Sequence, residues 1–345
     1  MVASGRDYLY FLAKRALSSF FVLLGVLLIV FLISHVVSHD PARLWAGPKA
    51  RPSTVEAVAI RFHLNDPLPV QLYYFILDFF TLNFGIDPLT GQSISSEIGF
   101  YLPNTLELVF AALAMILVAG IGLGYIAGMN FGGKKDSAIR VLYLVSWSTP
   151  TFLGAIGFVL VFAAYLKLLP SGGMYAPGLV PPPHITGIFV LDSLLSLNFA
   201  DMYSGLSHLL LPAAALAFLN FGLIARIARS SVIENRWAPH VKAATAKGLR
   251  PSEVNRRHVL RNSLIDVDTV GAVMFGWLLS GTVVIEQVFA WPGIGSFTYH
   301  AIAADDYPAL IPAILVFATG VIVANLAADI IYSVLDPRIA LGESR

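Results

Sequence analysis

Between Ala16 and Val37 the chain runs for 22 residues without Asp, Glu, Lys or Arg. A helix rises 1.5 Å per residue, so this run crosses the ~30 Å hydrocarbon core of a bilayer. No small-residue cleavage site follows it, so it reads as a retained first span and not as a secretory signal. Five more apolar stretches centre on 105–131, 141–166, 207–226, 264–290 and 308–335. The fourth and fifth are the weakest. Leu209–Ala225 and Thr269–Ile285 each hold only 17 residues between polar flanks, near the lower limit for a span. Gly187–Ala200 is apolar but short and contains Asp192, so it reads as interfacial or re-entrant.

Composition agrees. The chain is 57% hydrophobic and 12% charged, with a mean hydropathy of +0.75. A soluble domain carries roughly twice that charge. The fold class expected is an all-α membrane protein of six transmembrane helices. A net charge of +1 gives no electrostatic argument for a nucleic-acid partner. The absence of cysteine removes disulfides, thiolate nucleophiles and thiolate metal sites.

Orientation follows from the Lys/Arg bias. With the N-terminus inside, the inner segments hold seventeen Lys and Arg residues and the outer segments five. Both termini are then cytoplasmic. The expected organisation is 1–37 as N-terminus and first span and 38–104 as an extracytoplasmic segment. A five-helix core follows over 105–335, with a cytoplasmic loop at 227–262, and then a tail at 336–345. Within 38–104, "DPLPVQLYYFILDFF" is too short to span and reads as a helix lying on the outer surface or capping the bundle. The stretch 169–186, "PSGGMYAPGLVPPPH" at its heart, should be irregular.

Familiar chemistry is scarce. Gly128-x4-Gly133-Lys134 approaches a phosphate-binding loop, but Lys135 stands where Ser or Thr must ligate magnesium, and no strand precedes it. His35 and His39 share a helix face beside Asp40, yet no third ligand is evident. Glu107, Asp266, Asp268, Glu286 and Asp329 lie toward span ends, with Asn220 and Asn325 deeper. An ion-coupled secondary carrier would place acids near the midplane, so their position counts against that class. Glu286 opens "EQVFAWPGIG", where Trp291, Pro292 and Gly293 turn the chain after a helix end and are candidates for gating. Gly120, Gly124 and Gly128 recur every fourth residue, a face where two helix backbones can approach closely. Ordinary packing is the bland account of that stripe; a helix contact beside a translocation path is the sharper one.

The most organised polar segment is "VKAATAKGLRPSEVNRRHVLRN", residues 241–262. Pro239 suits a first helical turn, and Gly248 suits a stop. A second helix starts at Pro251, with Glu253 in its first turn. The expected result is helix, glycine, helix along the cytoplasmic surface. Ala243, Ala244 and Ala246 would face outward and the basic residues would face lipid headgroups. Positive-inside charge explains the lysines and arginines. Small residues matter if another protein docks closely.

The pattern Lys242-Ala243-Ala244-x3-Gly248, followed by His258-Val259-Leu260, resembles the EAA loop of binding-protein-dependent ABC transporter permeases. "ATAKGL", "RHVLRNSL", "EQVFAWPGIG", "DDYP" and "YSVLDPR" are similar to the dipeptide, oligopeptide and nickel branch, specifically the first of its two paired permeases. "DPLPVQ", "LPNTLEL", "LDSLL" and "HLLLPA" agree, so the resemblance covers essentially the whole chain. Three positions depart. Lys242 replaces the family glutamate, Arg261 stands where a proline often follows the leucine, and Arg250 stands where a serine often caps the second helix.

The resemblance implies a type I ABC importer permease in a prokaryotic cell membrane. Its coupling residues are Lys242, Ala243, Ala244, Lys247, Gly248, Leu249 and His258. It implies partners: a homologous second permease, two ATP-binding subunits that hold ATP and magnesium, and an extracytoplasmic solute-binding protein. Catalysis is not expected in this chain. The cargo expected is peptide, with oligosaccharide or nickel as alternatives within the branch.

Overall fold

The computed structural model describes residues 5–37, 40–47 and 50–335. The N-terminal helix α1, Gly5–Phe31, winds on as a wider turn to Val37. Three short helices follow: α2 Pro41–Ala46, α3 Pro52–Arg61 and α4 Leu68–Phe80. Then come α5 Ile94–Met129, α6 Lys134–Ser148, α7 Thr151–Phe158 with a wide turn to Tyr165, and α8 Phe189–Leu195. The long helix α9 runs Phe199–Arg236, followed by α10 Pro239–Ala246 and α11 Pro251–Val254. A wide turn over Asn255–Leu260 leads into α12 Arg261–Val288, then α13 Ile294–Ala303 and α14 Tyr307–Leu335.

Four helices are long and apolar enough to cross a membrane, and six spans result if each of two bent pairs is one. One pair, α6 and α7, meets at 110°. The cause is Pro150, which has no N–H to donate and forces the preceding residue out of helical geometry. The other pair, Pro251–Asp268 with Val273–Val288, is bent by 55°.

Two helices overrun their apolar stretches. α9 holds 38 residues and not the 17 or so that hydropathy marks. Its polar end stays helical with several polar side chains held by neighbouring elements. Arg229 grips Asp136 of α6 through Nε (2.6 Å) and Nη2 (2.9 Å). Arg236 donates to the Met129 carbonyl, and Ser231 donates to Asp266 of α12. The cytoplasmic loop expected at 227–262 therefore starts a full ten residues later, at Trp237. The helix α5 likewise begins at Ile94, eleven residues before the boundary expected at 105. The tail 336–345 lies outside the described residues.

The centre of the bundle is α9, packed between α5 and α12. The glycine stripe makes the α5 contact possible. A Cβ at Gly120 would lie 2.6 Å from Ile224, one at Gly124 2.6 Å from the Ala225 carbonyl, and one at Gly128 2.6 Å from Val232. The stripe is thus occupied by packing against α9. A second apolar cluster joins α1, α2, α4, the start of α5, α13 and α14. α4 lies there as a short apolar cap, with Phe79 buried and Gln71 donating to the Leu64 and Asp66 carbonyls. The loop before α8 is gathered by Asp192, whose carboxylate accepts the N–H groups of Ile185, Thr186 and Gly187. That is why an acid sits in an otherwise apolar stretch.

Candidate functional site

α10 begins with Pro239 at its first turn. It ends in a Schellman stop: Gly248 N–H donates to the Thr245 carbonyl (3.0 Å) and Leu249 N–H to that of Ala244 (3.4 Å). Gly248 has φ +80°, and nothing lies within 4 Å of where its Cβ would be. Glycine is there for the left-handed turn, not for space. Val241 and Ala244 are buried against Val232, Val254 and Val259, and Leu249 packs on the same cluster. Around the helix, Lys242, Ala243, Ala246 and Lys247 fall on one continuous exposed face. Two expectations are corrected. Ala244 faces inward, because it lies one turn from Val241. Small and basic residues share the outward face instead of dividing between two.

The segment is tied to the start of α12. Asn262 Nδ2 approaches His240 Nε2 (2.9 Å) and donates to the His258 carbonyl (2.8 Å). His258 therefore joins the segment through its backbone. Arg257 pairs with Glu253 one turn away (2.9 Å). These contacts and the valine cluster join α10 to the first turn of α12.

α12, 28 residues long and bent between Asp268 and Val273, follows a path of about 42 Å to a second constellation at its other end. There Glu286 is fully buried. Its Oε1 accepts from Thr105 Oγ1 (2.7 Å) and its Oε2 from Ser296 N–H (2.7 Å). Ser296 lies in the first turn of α13, where a carboxylate also meets the positive end of the helix dipole. Thr105 Oγ1 in turn accepts the Ile294 N–H (2.8 Å). Trp291 Nε1 donates to the Asn104 carbonyl (2.9 Å), and Asn104 Nδ2 donates to that of Pro292 (2.8 Å). A Cβ at Gly293 would overlap the Glu286 carboxylate, so the chain turns tightly over that group only because glycine stands there. Glu286, Trp291, Pro292 and Gly293 are thereby brought into one clasp joining α12, α13 and α5.

Asn104 and Thr105 are the members of the clasp that sequence reasoning missed. Their signal was "LPNTLEL", legible only as a phrase. The neighbouring Glu107 accepts the Val190 N–H (2.9 Å) and fixes α8 to α5. The glycines of α5, the α10 face and the clasp are three separate places. Lys134 and Lys135 of the near phosphate-binding loop are exposed, and Gly132 N–H donates to Asp136 in a simple turn. His35 bonds Ser34 and stacks on Phe31; His39 lies outside the described residues. Among the described residues no group of three or more metal-ligating side chains could hold a metal ion.

Residues 120–341 match the family of binding-protein-dependent transport system inner membrane components, and residues 8–90 match the N-terminal part of such components. A probable D,D-dipeptide transport system permease of Escherichia coli K12 is 37% identical over 331 residues, 96% of this chain and 97% of that protein. A dipeptide transport system permease of Alkalihalophilus pseudofirmus is 34% identical over 94% of this chain and 98% of its own length. A di/tripeptide transport system permease of Pseudomonas aeruginosa is 33% identical over 96% and 98%. The chain therefore belongs to the family of binding-protein-dependent transport system inner membrane components, as a multi-pass permease.

Proposed function

We propose that this chain is half of the translocation path of an ATP-driven peptide importer. Relatives named for dipeptide and di/tripeptide transport, matched end to end, support the cargo. In this reading both termini and α10 face the cytoplasm. A homologous permease completes the path, two ATP-binding subunits hold ATP and magnesium, and a solute-binding protein delivers cargo at the end carrying α2, α3 and α4.

The observation that carries the reading is the α10 face. A short helix stopped by Gly248, buried on one side through Val241 and Ala244, presents Lys242, Ala243, Ala246, Lys247 and Gly248 on the other. Alanine and glycine leave the backbone accessible to a close-fitting cleft. Closure of the ATP-binding subunits would push α10, and the His240, His258 and Asn262 contacts would pass that push to α12 as a rigid-body movement. The chain itself performs no bond chemistry.

The test is Ala243→Trp beside Gly248→Trp in the reconstituted complex. Ala243 is exposed, so tryptophan there blocks docking without touching the core; at Gly248 it also strains the stop. Both variants should insert and fold, yet lose transport and cargo-stimulated ATP hydrolysis. Normal rates of both in Ala243→Trp would refute the docking role.

A further inference from the structure

Three spans reach their midpoints at one cavity. The break between α6 and α7 falls at Thr149 and Pro150, halfway along 134–165. Asn220 lies within three residues of the centre of α9, and Met274 at the centre of α12. A cavity of about 430 Å³ opens between them, lined among others by Trp147, Thr149, Thr151, Asn220, Met274 and Trp277. Trp147 and Trp277 are 54% and 73% exposed.

The polarity of this place is unusual for its depth. Asn220 Nδ2 donates to the Leu216 carbonyl (2.8 Å), and its Oδ1 has no partner among the described residues. Among the described residues no side chain caps the first turn of α7. Helix-broken backbone at mid-membrane depth is tolerated only inside protein or beside water. Among the described residues lining the cavity none is charged. Arg226 stands near its rim, over the Trp147 ring at 5.8 Å.

We infer that this cavity is the cargo-contact site of the chain, where a short peptide passes with its main chain against Asn220 and the α7 break and its side chains between Trp147 and Trp277. The inference rests on the transport reading above. Amide N–H and carbonyl groups match an acceptor and backbone donors, and the absence of charge lets side chains differ. An apolar helix of the partner permease would leave Asn220 Oδ1 and the break unsatisfied, so it suits this place less well.

The chain lacks cysteine, so single cysteines report directly. Asn220→Cys and Trp277→Cys are made in the full complex in proteoliposomes and exposed to a charged, water-soluble methanethiosulfonate. Val118→Cys, on a 77% exposed apolar position of α5, is the lipid-facing control. Residues 220 and 277 should be modified and 118 should not. Modification should stop transport and should slow several-fold while a dipeptide is being transported. The inference is overturned if residues 220 and 277 are unreactive in the assembled complex, if they react without loss of transport, or if transported dipeptide does not slow their reaction. If the parent complex transports no dipeptide, the peptide reading fails, while the labelling of this chain still shows whether the cavity is an aqueous path.

Discussion

Replacing Glu286 tests the clasp most sharply, because the structure states what each substitution leaves behind. Glu286→Ala removes the acceptor of two buried donors, Thr105 Oγ1–H and Ser296 N–H. At about 1–3 kcal/mol for each donor left unsatisfied, and with the cavity that truncation opens, the cost is about 3 kcal/mol or more. Glu286→Gln keeps the volume and one acceptor oxygen. If that oxygen serves Ser296, the amide nitrogen faces Thr105 Oγ1, which already accepts from Ile294. The hydroxyl has two lone pairs and can accept both, leaving its own proton unpaired, so the cost is about 1–2 kcal/mol. Thr105→Val strips one acceptor and one donor and should fall between the two. The assay is the thermal midpoint of the detergent-purified chain with its partners. The expected order of loss is Ala, then Val at residue 105, then Gln. A double-mutant cycle of Glu286→Gln with Thr105→Val should show coupling above ~0.5 kcal/mol, since the residues touch. A melting temperature of Glu286→Ala equal to that of the parent would show that the carboxylate does not hold α12 to α5 and α13.

The glycine stripe yields a paired prediction. Gly124→Ala drives a methyl to 2.6 Å from the Ala225 carbonyl and from Ala228 Cβ, costing about 1–3 kcal/mol as overpacking; Gly122→Ala, with nothing within 4 Å, should cost nothing, and thermal stability of the two variants decides. The turn before α14 yields a pH dependence. Burial pushes the Asp306 carboxyl up to about 6, aided by Asp87 and Glu97 and opposed by the Ala309 N–H. A raised folded pKa means the native state binds the extra proton between about pH 4, the unfolded value, and about 6. Its stabilisation is therefore full below about 4 and is lost as pH rises through about 6. Asp306→Asn should flatten that part of the stability profile, and an unchanged profile would refute the assignment.

The parts of this protein legible in the sequence were those carried by local periodicity and local turn chemistry. The α10 stop is one: Pro239 and Gly248 act on their own neighbourhood, and the structure places a helix start and a left-handed glycine where they stand. The "FAWPGIG" turn is another. The ends of α9 and α5 were not legible. Hydropathy ends α9 near Ala225, yet eleven more residues are helical because Arg229 finds Asp136 on another helix and Ser231 finds Asp266. The direction of Ala244 was missed for a related reason, since its partners Val232, Val254 and Val259 come from three other segments.

By itself, then, the sequence determined that the chain lives in a bilayer, roughly where it crosses, and where Pro239 and Gly248 start and stop one short helix. Runs of uncharged residues and helix-stop residues act locally, and the solvent enforces them. Only the tertiary structure decided that the glycine stripe is filled by α9, that Glu286 is held by Thr105 and α13, and that three spans meet near their midpoints at one cavity. Those facts depend on pairs of residues far apart in the chain. No local pattern encodes which distant donor meets which acceptor until the helices pack.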